Sequence, residues 1–114
     1  MRTGKMHRFG EIILSQVQYA DTFEIKRRPA LVLFEEKGNI VVLGITSNLK
    51  MEGIQLTKQE GAIKESVIKL NYIFTISEKM VEKTLFLISE EKKKKVKEEL
   101  ISRIRWGTKC PTYL

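Results

Sequence analysis

The sequence predicts a small antiparallel β-barrel of five or six strands, capped by a single C-terminal α-helix. Three observations carry this. Short runs rich in Ile, Val and Leu, each of strand length, fill residues 10–88 and are separated by glycine or polar turns. One stretch with helical spacing follows, with Ser89 before it and Gly107 after it. The strands precede the helix instead of alternating with helices, which argues against a parallel doubly wound sheet. With 114 residues and 42% hydrophobic content, the chain supports one core and one domain over residues 1–114, with an irregular tail over 109–114.

Residues 10–17 have the β-branched enrichment of a first strand, and residues 18–28 turn polar and read as a loop. Pro29 lacks a backbone donor, which puts Arg28 in extended conformation at the start of the next strand, outside any ladder. Ala30–Glu35 and Asn39–Thr46 form a hairpin across Glu36-Lys37-Gly38, where glycine makes positive φ cheap. Nine positions on either side of Lys37 bring Arg28 and Thr46 level at the open end of that pair.

Asn48–Gly53 reads as a polar loop, Gly53–Thr57 as a short strand, and 58–65 as a polar connection containing Gly61. Over Ser66–Phe74 the alternation puts Ile68, Leu70, Tyr72 and Phe74 on a buried face and Lys69 and Asn71 on a polar one. Ser77 caps a short helix beginning at Glu78, and Leu85–Ile88 is a further strand. Ser89 then caps the long helix. Glu90 and Glu91 fall in its first turn, Val96, Leu100, Ile101 and Ile104 share its apolar face, and Trp106-Gly107 ends it. The Lys92–Lys95 run, bracketed by glutamates, reads as a solvated face of that helix.

The net charge is +7, from 21 Lys and Arg against 14 Asp and Glu, which favours nucleic acid, acidic proteins or anionic surfaces as partners. No apolar run reaches the ~20 residues that cross a bilayer and the N-terminus lacks a secretory apolar segment, so a cytoplasmic protein with no membrane association is expected. The single cysteine, Cys110, has no partner for a disulfide, and the single histidine, His7, leaves neither a two-histidine catalyst nor a zinc site to expect. No cofactor or metal is expected.

Arg28 and the pair Thr46-Ser47 are the residues with chemistry to offer. A guanidinium donates bidentately to phosphate oxygens, and hydroxyls both donate and accept. On the residues alone, Arg28 reads first as a solvated surface cation and second as a phosphate ligand.

A resemblance reverses that order. Gly10-Glu11-Ile12-Ile13, Arg28-Pro29-Ala30-Leu31-Val32-Leu33, Ile45-Thr46-Ser47, Glu65-Ser66-Val67-Ile68, Phe74-Thr75-Ile76 and Leu87-Ile88-Ser89-Glu90-Glu91, in this order and spacing, resemble the MazF/PemK toxins of type II toxin–antitoxin systems. The resemblance implies an SH3-like barrel of the CcdB/MazF kind that forms a homodimer. It also implies an mRNA interferase: an endoribonuclease that cuts single-stranded RNA without metal, through the RNA's own 2′-hydroxyl, and is neutralised by an acidic antitoxin. Carried onto this chain, the active site falls on Arg28, Thr46 and Ser47. The sequence departs from many members at Phe74 and Ser77, where they have Arg and Asp, and in its shorter, basic loop before Arg28.

With a pKa above ~12, Arg28 suits stabilising the phosphorane and not proton transfer. Glu24 is the candidate for proton transfer and His7 a distant second; Lys26, Arg27, Asn48 and Lys69 are candidate RNA contacts. Two rival functions use the same barrel: a non-catalytic gyrase binder of the CcdB kind, and a degenerate member that only binds RNA.

Overall fold

The Ile, Val and Leu runs extend into six strands: β1 (Glu11–Gln18), β2 (Ile25–Glu36), β3 (Asn39–Thr46), β4 (Ile54–Leu56), β5 (Ser66–Ser77) and β6 (Val81–Leu87). One helix, α1 (Glu90–Trp106), follows them. The computed structural model describes residues 6–18 and 25–107, so Glu24, Cys110 and the tail expected over 109–114 lie outside the described residues. All strands pair antiparallel in the order β4-β5-β3-β2-β1-β6, and the sheet curls into a half-barrel with the helix packed on it. This is the helix-capped β architecture expected from the sequence.

Consecutive residues of a strand face opposite ways, and here both faces are apolar. Ile12, Leu31, Leu43 and Ile68 pack on one side together with Val96 of α1. Their neighbours Ile13, Ala30, Val32 and Val42 form a second cluster on the other. The β2–β3 turn puts both Lys37 (φ 51°) and Gly38 (φ 81°) at positive φ, the twist-matched geometry of a two-residue hairpin.

Three expectations are corrected. Alternation over Ser66–Phe74 fails because Leu43 pairs with Ile73 while Ile45 pairs with Ile68, so Lys69 to Tyr72 bulge opposite Gly44 alone. Lys69 is thereby buried (7% exposed) and Tyr72 turned outward (49%), its Cβ lying where a side chain on Gly44 would stand. Ser77 caps a single helical turn, Glu78–Met80, as expected, but β6 begins at Val81 instead of Leu85 because β-branched Val81 and Thr84 already pair with β1.

The third correction concerns α1. Ser89 Oγ accepts the Lys92 N–H (3.2 Å) and Gly107 closes the helix at φ 71°, as expected. Of the expected apolar face, however, only Val96 is fully buried and Leu100 partly, while Ile101 (50%) and Ile104 (78%) are exposed. At 3.6 residues per turn Leu100 lies about 40° round the helix from buried Val96, but Ile104 lies about 80° and Ile101 about 140° round it, so these two turn away from the line that meets the sheet. Nor is the lysine run wholly solvated: Lys92 Nζ donates to the Gln55 carbonyl on edge strand β4 (2.7 Å) and pairs with Glu60 (3.3 Å).

Glu60 ties the 57–65 connection to that helix. Burial alone pushes its carboxyl up, but the Thr57 N–H (2.9 Å), the Thr57 hydroxyl (3.0 Å) and Lys92 outweigh burial and hold the pKa below the ordinary carboxylate value. A depressed folded-state pKa stabilises the fold above the unfolded-state pKa, and that stabilisation is lost as pH falls through the folded one. Glu60→Gln is therefore expected to lower thermal stability at neutral pH and to flatten the acid limb, the gap between the two proteins closing as pH falls below about 4.3. Melts at stepped pH check this; parallel acid limbs for the two proteins would contradict it.

Candidate active site

Strand β2 outruns β3. Its pairing with β3 ends at Ala30 opposite Gly44, while its pairing with β1 continues through Pro29, Arg28, Arg27 and Lys26. Pro29, with no N–H to donate, sits where β2 has lost its neighbour on one side. Arg28 therefore lies inside the β1–β2 ladder, opposite Ser15, and not at the strand start expected from the sequence. Two positions past the last β2–β3 pair stand Arg28 on one strand and Thr46 on the other, level as the residue count predicts.

A cavity of about 220 Å³ opens at this end. Its polar lining comes from Arg27, Arg28, Ser47, Lys64 and Ser66, and the rest is apolar, including Leu56, Leu85 and Phe86. Three cations and no carboxylate line it, so its potential favours anions. Arg28 is partly buried; its Nε is buried and makes no hydrogen bond, although the residue is engaged elsewhere. Arg27 is held by Glu82 Oε2 (3.1 Å), which also accepts from Gln16 Nε2 (3.2 Å).

Ile45 and Ser47 line the cavity and Thr46 between them does not, as alternation along an extended segment requires. Thr46 instead shapes the loop. Its Oγ1 accepts the Asn48 N–H (3.1 Å), and Asn48 Oδ1 accepts the Lys50 N–H (3.1 Å), two side-chain turns that fix the path out of β3.

Of the residues singled out in the sequence, the structure thus brings Arg28, Arg27 and Ser47 to one cavity. Lys26 and Asn48 are exposed outside its lining. Lys69 lies in a separate cavity with Glu52, Asn71 and Arg103, its Nζ 4.9 Å from the Tyr72 ring centre. His7 is bound to Glu11 Oε1 (2.8 Å), four residues along β1 from Ser15, roughly 13 Å at ~3.3 Å per residue. Glu24 is outside the described residues.

Lys64 and Ser66 are lining residues with no role in the sequence reading. Ser66 Oγ donates to the Lys64 carbonyl (2.8 Å). Their spacing was the available signal, since residues two apart in an extended segment share a side. Among the described residues, no three His, Cys, Asp or Glu side chains gather as a metal set, and no helix is long and apolar enough to cross a membrane.

Solved structures share this fold at low identity. A MazE–MazF complex from Deinococcus radiodurans superposes with a TM-score of 0.73 at 18% identity, covering 90% of this chain and 98% of that one. The toxin MazF-mt6 of Mycobacterium tuberculosis gives 0.66 at 20% identity, covering 82% and 93%. An endoribonuclease in complex with its cognate antitoxin from a mycobacterial species gives 0.66 at 11%, covering 95% and 100%. No curated protein sequence matches. Residues 8–104 match the family described as the PemK-like, MazF-like toxin of type II toxin–antitoxin systems. Since that match runs from before β1 to the last turn of α1 and takes in the Arg28 cavity whole, the chain belongs to the PemK/MazF toxin family.

Proposed function

We propose that this chain is a metal-independent endoribonuclease toxin that cleaves single-stranded RNA and is neutralised by an acidic antitoxin. The observation that carries this reading is the meeting of Arg28 and Ser47 in one cation-lined cavity, in a chain of this family. In this reading the 2′-oxygen attacks the adjacent phosphorus as it loses its proton, the bond from phosphorus to the 5′-oxygen breaks, and that oxygen takes a proton from water, giving a 2′,3′-cyclic phosphate and a 5′-hydroxyl. Arg28 donates to the non-bridging oxygens as negative charge builds on them. Ser47 Oγ supports the same oxygens, and Thr46 acts by holding the loop that presents Ser47. Glu24 is our candidate acceptor of the 2′-hydroxyl proton.

Lys26, Arg27 and Asn48 contact the strand on either side of the cut; Lys69, a fourth candidate in the sequence, is buried in a separate cavity. Two of the similar complexes contain an antitoxin, and the +7 charge of this chain suits an acidic one. A second copy completes the unit; Tyr72 and Ile73 on β5, each about half exposed, offer apolar surface for it.

Purified protein incubated with single-stranded RNA in EDTA is expected to release fragments ending in 2′,3′-cyclic phosphate and 5′-hydroxyl. RNA left intact would contradict the assignment and favour a binding role.

A further inference from the structure

We propose that the cavity beside Arg28 is a slot for one nucleobase, with Phe86 as its stacking platform; this rests on the ribonuclease reading above. The size of the cavity fits that occupant. At about 220 Å³ it is smaller than the ~300–1,000 Å³ of pockets that enclose drug-sized ligands, so it takes a ring and not a whole nucleotide. Its lining divides by chemistry as a nucleotide does. Leu56, Ala62, Leu85 and Phe86 supply apolar wall, and Arg27, Arg28 and Lys64 supply charge for the attached phosphate.

Phe86 is fixed in a way that suits stacking. A Cβ placed on Gly61 would come within 2.9–3.1 Å of three ring carbons, so only glycine lets the backbone lie this close to the ring. The 57–65 connection thereby backs the ring, and Glu60 anchors the connection to Lys92. The ring's remaining surface contributes to the cavity. Ile63, on the same connection, is 72% exposed and also lines the cavity, an apolar side chain that a bound ring would cover. Stacking on an aromatic accepts any base in principle, and the base must be unpaired to enter, which makes the slot selective for single strands.

The test uses methyl-labelled protein and two probes, uridine 5′-monophosphate and adenosine 5′-monophosphate, against ribose 5-phosphate, which carries the phosphate without the base. The nucleotides are expected to shift the Leu56, Ala62 and Leu85 methyl resonances upfield by ring current, and ribose 5-phosphate to leave them in place. Phe86→Leu should weaken nucleotide binding roughly 5- to 150-fold, the range that loss of a stacking partner gives, with ribose 5-phosphate binding unchanged. Phe86→Tyr, which keeps the ring, should retain nucleotide binding. Unmoved methyls, or equal responses to nucleotide and sugar phosphate, overturn the slot. If RNA is cut in EDTA while the methyls stay silent, the slot fails and the ribonuclease reading stands. If the methyls respond while RNA stays uncut, the slot stands as a base-binding site and the ribonuclease reading fails.

Discussion

Arg28→Ala is expected to slow RNA cleavage by about 10²–10³-fold, the usual cost of deleting one preorganised donor aimed at developing charge. Two features make the effect large. Arg28 is anchored in the β1–β2 ladder opposite Ser15, so the strand fixes where its guanidinium starts, and it shares the cavity with Ser47. Arg27 cannot easily substitute, because its Nε is committed to Glu82. Arg28→Lys keeps the charge but loses the planar fork, so its rate should fall between those of wild type and Arg28→Ala. Single-turnover cleavage gives the rates, and circular dichroism with thermal melting shows whether the fold is retained. A folded Arg28→Ala protein that cuts at the wild-type rate would remove Arg28 from the chemistry.

The largest effect on stability is expected at Ile68. It is fully buried and pairs with Ile45 on β3 and Ile54 on β4, so its side chain joins three strands in the cluster that also holds Val96. Ile68→Ala removes three heavy atoms at a place held from both edges, where collapse is hard. A loss of about 2–5 kcal/mol is expected, or on the order of 10–20 °C in Tm. Ile104→Ala is the matched control. Its side chain is 78% exposed, so the change should stay within about 0.5 kcal/mol. Thermal and urea melts of the two variants decide this, and a large loss at Ile104 would mean that α1 buries its outer face against something in solution.

That pair also shows what the sequence could disclose. The apolar residues Val96, Leu100, Ile101 and Ile104 mark a helix correctly, but they spread over about 140° of its surface, and which part of that arc is covered is set by the packing of α1 on the sheet, which no single segment encodes. The hairpin over Ala30–Thr46 was legible because Gly38 and two β-branched runs are local signals, and they agree with one another. Ser66–Phe74 misled for the opposite reason. The bulge at Lys69 to Tyr72 depends on Gly44, which is distant in sequence and makes room for Tyr72 only once β3 and β5 have paired.

The site was partly legible on the same terms. Arg28 and the Thr46-Ser47 pair stood at counted distances from one turn, so their meeting followed from antiparallel register. Which of the two hydroxyls lines the cavity was decided by strand alternation past the end of β3, and the structure selects Ser47. Lys64, Ser66 and Phe86 come from the connection before β5, the start of β5 and edge strand β6. They converge only because the sheet curls and the 57–65 connection bridges β4 and β6, with Gly61 seated on Phe86. Curvature of that kind leaves no periodic trace.

The central claim is that a scissile phosphate rests against Arg28 and Ser47. A crystal structure with a single-stranded RNA made uncleavable by 2′-deoxy substitution at the mapped cut tests it most directly. The account predicts that phosphate within hydrogen-bond reach of both the Arg28 guanidinium and the Ser47 hydroxyl. An RNA bound on another face, with the Arg28 cavity holding only water, would contradict it.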